Sequence, residues 1–128
     1  RGHEVIGFDF SELAMDAHVK NGGDIAISAA EASAKANFSI AMLPNGDAVK
    51  QAVLGPGGVV EKLPKDSLFV DMSTIHPLET DQIRQDLRAQ SISMVDAPVG
   101  RTSVEAEKGE SLLWSALKNV ILRLFSQF

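Results

Sequence analysis

Cysteine is absent from this sequence, which excludes disulfides and thiolate metal sites. Histidine is scarce: His3, His18 and His76 stand far apart, without the spacing of a metal-binding set. No apolar run approaches the roughly 18 residues of a membrane-spanning helix, and Arg1, His3, Glu4 and Asp9 interrupt the region where a secretory leader would lie. Lysine and arginine do not cluster, and a net charge of −5 argues against a nucleic-acid surface. By default these absences leave a cytoplasmic protein with neither a membrane nor a nucleic acid as partner. An initiating methionine is also lacking. The residues after Arg1 resemble domain interior, so the chain reads as a piece of a longer protein.

What is present fits one α/β domain. The 128 residues, 45% hydrophobic and 23% charged, suffice for a buried core. Two stretches organise the rest. Leu68 to Met72 and Ile92 to Ala97 are apolar runs of strand type, each with an acid near its end, Asp71 and Asp96, and each opening into a loop with small hydroxyl residues. The segment from Pro77 to Gln90 has helical character and the length that a crossover between parallel strands requires. Thr74 and Arg101 are therefore expected on one rim of the sheet.

Upstream, Val5 to Phe8 is a short apolar run stopped by Asp9. Ser11 caps a predicted helix from Glu12 to Lys20, with Leu13, Met15 and Ala17 on its apolar side, and Gly22-Gly23 ends it. Asp24 to Ser28 is a short strand or an extended connection. Ser28 and Glu31 fit a capping box for a helix to Ala36. Phe38 to Leu43 reads as a buried strand, closed by the turn signal Pro44-Asn45-Gly46-Asp47. Ala48 to Leu54 is the next helix, Gly55-Pro56-Gly57-Gly58 a turn, and Val59 to Leu63 helical. In the crossover helix Pro77 suits the first position. Leu78, Ile83 and Leu87 are expected inward, and Asp81 and Arg84 as an exposed pair. The order β-α-(β)-α-β-α-β-α-β calls for a mostly parallel sheet with flanking helices. From Leu112 to Phe128 apolar residues recur at helical spacing, which predicts a helical tail.

In open α/β sheets ligands gather at the carboxyl ends of the strands, and the polar candidates fall there. Asp9 can accept hydrogen bonds from ribose hydroxyls and repel a 2′-phosphate; it fits a turn or cap aspartate equally. A glycine-rich phosphate loop should stand about 20 residues before such an acid, and the chain has none. The glycines around Pro56 do not replace it, because they follow a helix and the proline restricts the backbone. Met42, Leu43, Pro44 and Asn45 stop a strand, and Leu43, held extended by Pro44, can lie against a flat ligand. Ser73 and Thr74 can donate to a carboxamide or a substrate oxygen, or cap the helix at Pro77. His76 reads as structural. Gly100, Arg101, Thr102 and Ser103 combine a planar guanidinium, two hydroxyls and a glycine, which is either an anion receptor or a polar surface turn.

Met42 to Asp47 (Met-Leu-Pro-Asn-Gly-Asp), Asp71 to Pro77 (Asp-Met-Ser-Thr-Ile-His-Pro) and Asp96 to Ser103 (Asp-Ala-Pro-Val-Gly-Arg-Thr-Ser) resemble the 3-hydroxyisobutyrate dehydrogenase family of β-hydroxyacid dehydrogenases. The similarity runs from Arg1 to Leu113 and keeps the order and spacing of the motifs. It implies a Rossmann-type NAD-binding domain, NADH being preferred over NADPH, followed in a homo-oligomeric complete protein by an all-helical domain. Asp9 would hold the adenosine ribose, Met42 to Asn45 would line the dinucleotide, and Thr74 would touch the nicotinamide side. Ser73 and Gly100 to Ser103 would receive a small anionic substrate. The implied reaction passes a hydride between nicotinamide and a short aldehyde or β-hydroxy acid. Its lysine proton donor belongs to a later helix; Lys108 and Lys118 do not match it, so no catalytic residue is expected in this chain.

Most relatives carry Ser-Gly-Gly where Gly100-Arg101-Thr102 stands, and the arginine version is similar to the sulfonate-binding, sulfolactaldehyde-reducing branch. A preference for 3-hydroxyisobutyrate or tartronate semialdehyde is the alternative. Two segments depart from the family pattern. The first strand with its glycine loop is missing, and from Trp114 the residues diverge as a deletion or a reading-frame error would make them. Residues 1–113 thus read as a partial Rossmann domain and 114–128 as a divergent helical tail. Lacking a central strand, the isolated chain is expected to be poorly stable and inactive; an α/β module that acts only by association through its tail is the other reading.

Overall fold

A computed structural model describes residues 3–100 and the backbone of residues 112–113. Through β5 the elements alternate as the apolar pattern predicts: β1 (Ile6–Gly7), α1 (Glu12–Lys20), β2 (Asp24–Ile25), α2 (Ala29–Ser33), β3 (Phe38–Ala41), α3 (Gly46–Leu54), a 3₁₀ turn (Val59–Glu61), β4 (Leu68–Asp71), α4 (Pro77–Ala89) and β5 (Ser93–Asp96); two short strands that the pattern does not predict follow, β6 (Val99–Gly100) and β7 (Leu112–Leu113).

Local chemistry sets the helix starts. Ser11 Oγ accepts the Ala14 N–H at 3.3 Å, and Ser28 Oγ accepts that of Glu31 at 3.1 Å. The Glu31 carboxylate reaches back one residue further than a capping box requires, to the Ile27 N–H. At α4 the cap is His76: its Nδ1 accepts the Leu78 N–H while Glu79 Oε2 accepts the His76 N–H. Pro77 takes the first helical position, where a missing N–H costs nothing.

β3, β4 and β5 form a parallel sheet in that order, with Ala41, Asp71 and Asp96 in one row at its carboxyl end. β1 and β2 pair in parallel as a separate ribbon, and β6 pairs with β7 antiparallel. Because side chains alternate across a strand, β4 serves two faces. Phe69 packs with Val49 and Val53 of α3 and Ile83 and Leu87 of α4, whereas Val70 joins Val95 and Ala97. Full burial of side chains such as Phe69, Ile83 and Leu87 contributes about 1.5–3 kcal/mol each, and this crossover core fixes where the strand tips point.

Several boundaries move. β3 stops at Ala41 rather than Leu43, α2 at Ser33 rather than Ala36, and only Val59–Glu61 of the segment to Leu63 is a 3₁₀ turn. α3 starts at Gly46, because Asn45 is its N-cap and not merely part of a turn. Leu78 is 72% exposed; Thr80 takes the inward place with Ile83 and Leu87, the i, i+3, i+7 spacing of one helix face. α1 buries none of its residues, and Leu13 is 82% exposed, since no further layer covers that side among the described residues. The predicted helical tail is corrected at its start: Leu112–Leu113 is a strand that pairs with Val99–Gly100. An apolar pair fits either periodicity, and here the ladder across β6 satisfies its backbone. The rest of the tail, with Lys108 and Lys118, lies outside the described residues. No helix among the described residues is long and apolar enough to cross a membrane.

Candidate functional site

The carboxyl ends of β3, β4 and β5 meet in one rim. Past the last ladder residues the strands stay joined: the Met72 N–H donates to Ala41 O at 2.8 Å, Ala97 N–H to Asp71 O at 2.8 Å, and Val99 N–H to Met72 O at 3.4 Å. The loop bearing Ser73 and Thr74 therefore lies directly between the Met42–Asn45 loop and the segment that ends at Gly100.

Ser73 is the tie. It is buried, and its Oγ accepts the Leu43 N–H at 2.9 Å from a residue thirty positions earlier in the chain. Its own N–H donates to Asp71 Oδ1 at 2.9 Å. The helix cap considered for Ser73 and Thr74 belongs to His76 instead, which leaves Thr74 exposed on the rim. Met42, Pro44 and Asn45 are exposed and Leu43 half-buried. Asn45 Oδ1 accepts the Ala48 N–H at 2.8 Å, so its carbonyl is engaged in starting α3.

Asp9 follows β1 by two residues and is exposed. One of its oxygens accepts the Ser11 N–H at 2.8 Å, an Asx turn that aims the carboxylate at the start of α1. Gly100, the end of β6, is half-buried beside the β4 loop. Arg101, Thr102 and Ser103 lie outside the described residues. Among the described residues there is no cluster of three or more ligating side chains able to hold a metal.

Two carboxylates stand beneath the rim. Asp71 is fully buried, and Asp96 is its register partner on the next strand. Burial first, then the Asp71 carboxylate, push Asp96 above its ordinary value; Arg84 opposes the rise and Asp81 adds to it. The part played by Asp71 was legible only as the spacing Asp71-x-Ser73, which is an Asx-turn pattern.

Chemically, the rim offers exposed apolar surface at Met42 and Pro44 and a hydroxyl at Thr74, and the end of the separate β1–β2 ribbon offers a carboxylate at Asp9. That donor set suits a molecule with flat and polyhydroxyl parts. The family model described as the NAD binding domain of 6-phosphogluconate dehydrogenase matches residues 1–126. The chain is 46% identical over 113 residues to 3-sulfolactaldehyde reductase of Escherichia coli (strain K12), covering 88% of this chain and 38% of that protein. It is 33% identical over 98 residues to 3-hydroxyisobutyrate dehydrogenase of Pseudomonas aeruginosa, covering 77% and 33%. Among solved structures it superposes on the Mycobacterium tuberculosis 3-hydroxyisobutyrate dehydrogenase with L-serine at a TM-score of 0.82 and 28% identity, over 88% of this chain and 38% of that one. The chain thus spans under two-fifths of the length of these relatives.

Proposed function

The chain belongs to the family of the NAD binding domain of 6-phosphogluconate dehydrogenase, and on that premise we propose that it holds the dinucleotide in a β-hydroxyacid dehydrogenase. That enzyme would pass a hydride between NADH and a small anionic semialdehyde or 3-hydroxy acid, with a sulfonate such as that of sulfolactaldehyde as the anionic end. The observation that carries the reading is the tie from Ser73 Oγ to the Leu43 N–H, which brings the loop after β3 and the loop after β4 to one rim.

NAD, when bound, supplies the hydride chemistry, and the protein supplies position and electrostatics. Asp9 accepts the adenosine ribose hydroxyls with a carboxylate whose Asx turn limits its motion; a 2′-phosphate there would meet like charge, which favours NADH over NADPH. Leu43, Pro44 and the exposed Met42 give the dinucleotide an apolar bed, and Thr74 donates to the nicotinamide carboxamide. Arg101, with Thr102 and Ser103, receives the substrate's anionic end by a fork of N–H donors.

The same proposal covers the chain by itself. β1 and β3 are each at a sheet edge, and the Rossmann order 3-2-1-4-5-6 sets a strand between their equivalents. Phe10 at 90% and Ile27 at 88% exposure mark apolar surface that such a strand and its helix would cover. The 128 residues alone then hold NADH poorly.

One set of titrations tests the reading. In a full-length protein carrying this chain, Arg101→Ala is expected to lose sulfonate-substrate binding at least tenfold while NADH affinity stays within twofold, and the 128-residue chain to lack micromolar NADH binding. Unchanged sulfonate binding, or a loss shared equally by NADH, would overturn the substrate assignment. Tight NADH binding by the short chain would overturn the claim about the chain alone.

A further inference from the structure

We infer that Asp96 donates its carboxyl proton to Oδ2 of Asp71, and that this proton keeps the tips of β4 and β5 together beneath the rim. Asp71 is completely buried, and its Oδ2 has no hydrogen-bond partner among the described residues, while Oδ1 is engaged by the Ser73 N–H. A buried carboxylate oxygen without a donor is costly. The parallel register sets Asp96 beside Asp71 in the same row, so the two side chains leave the same face of the sheet about 4.8 Å apart at the backbone. The other residue of that row is Ala41, which has no donor to offer.

The groups that act on Asp96 are Asp71 on β4 and, on α4, Arg84 and Asp81. Arg84 Nη1 already donates to Asp81 Oδ1 at 2.6 Å. A protonated Asp96 therefore supplies the donor that Asp71 lacks, and its loss leaves two carboxylates facing each other. The consequence reaches the rim through named bonds: Asp96 to Asp71 Oδ2, Asp71 Oδ1 to the Ser73 N–H, Ser73 Oγ to the Leu43 N–H. Asp71 and Asp96 thus act as positioning residues for the loops after β3 and β4. Raising the pH releases the Asp96 proton to solvent and loosens Ser73 and Leu43 together. The device needs no bound cofactor, so its test is independent of the NADH reading.

The experiment is an NMR titration, without NADH, of a full-length protein carrying this chain, following selectively labelled aspartate carboxyl carbons and the amides of Ser73 and Leu43. Asp96 is expected to lose its proton above the ordinary carboxylate range, and both amides to shift with the same midpoint. Asp96→Asn keeps a donor for Asp71 at every pH and should abolish the titration of both amides. Asp71→Asn should return Asp96 toward its ordinary value. Amides that ignore the Asp96 step, or that still titrate in Asp96→Asn, would overturn the inference, as would an Asp96 midpoint unmoved by Asp71→Asn.

Discussion

At Ser73 the side chain serves the loop before it serves any ligand, because its oxygen accepts the Leu43 amide and its amide is held by Asp71. The charge beneath it sets a pH dependence whose sign is fixed. Asp96 binds its proton more tightly in the folded chain than in the unfolded one. The folded state thus carries the extra proton in the window from the ordinary value of 3.8 upward, and stability falls as pH rises through it. Asp96→Asn is expected to flatten that fall, raising the melting temperature at pH 7 and leaving it nearly unchanged at pH 3.5, as thermal unfolding at the two pH values would measure. Little of this was legible in the sequence. Asp71 and Asp96 each close an apolar run, but only the register of β4 against β5 makes them neighbours, and register is set by pairing across the sheet.

For the elements, caps were more legible than faces. Ser11, Ser28 and the Pro77 start follow from side-chain chemistry that acts over three or four residues, and all three begin helices as expected. Asn45 was read within a turn because Pro44 and Gly46 flank it, yet it caps α3. Asn45→Ala should cost about 1 kcal/mol, measured as a lower denaturation midpoint with an unchanged slope. Its larger effect would be on the Leu43–Pro44 loop, which hangs between that cap and Ser73. Leu78 and Leu13 show why faces were harder. Apolar character says that a residue can be buried, but whether another layer arrives to bury it depends on packing that local pattern does not record. Leu112 and Leu113 fail for a related reason: two leucines at the head of a helical stripe fit a strand as well, and a partner at Val99–Gly100 decides.

Over the whole molecule, the three parallel strands and two crossover helices form a continuous core, whereas β1 and β2 stand as a ribbon of their own. The alternating order of elements was legible because each crossover is signalled locally; the division of the sheet was legible in that no Rossmann-type glycine loop stands among these 128 residues. In the reading proposed above, both halves direct their carboxyl ends to the dinucleotide, Asp9 from one and Leu43 and Thr74 from the other. The most direct test is hydrogen exchange by mass spectrometry on a full-length protein carrying this chain, with and without NADH. Slower exchange is predicted in peptides covering residues 42–45 and 72–74. No change there, with protection confined to the groove lined by Asp47, Lys50, Glu79 and Gln82 between α3 and α4, would contradict the account.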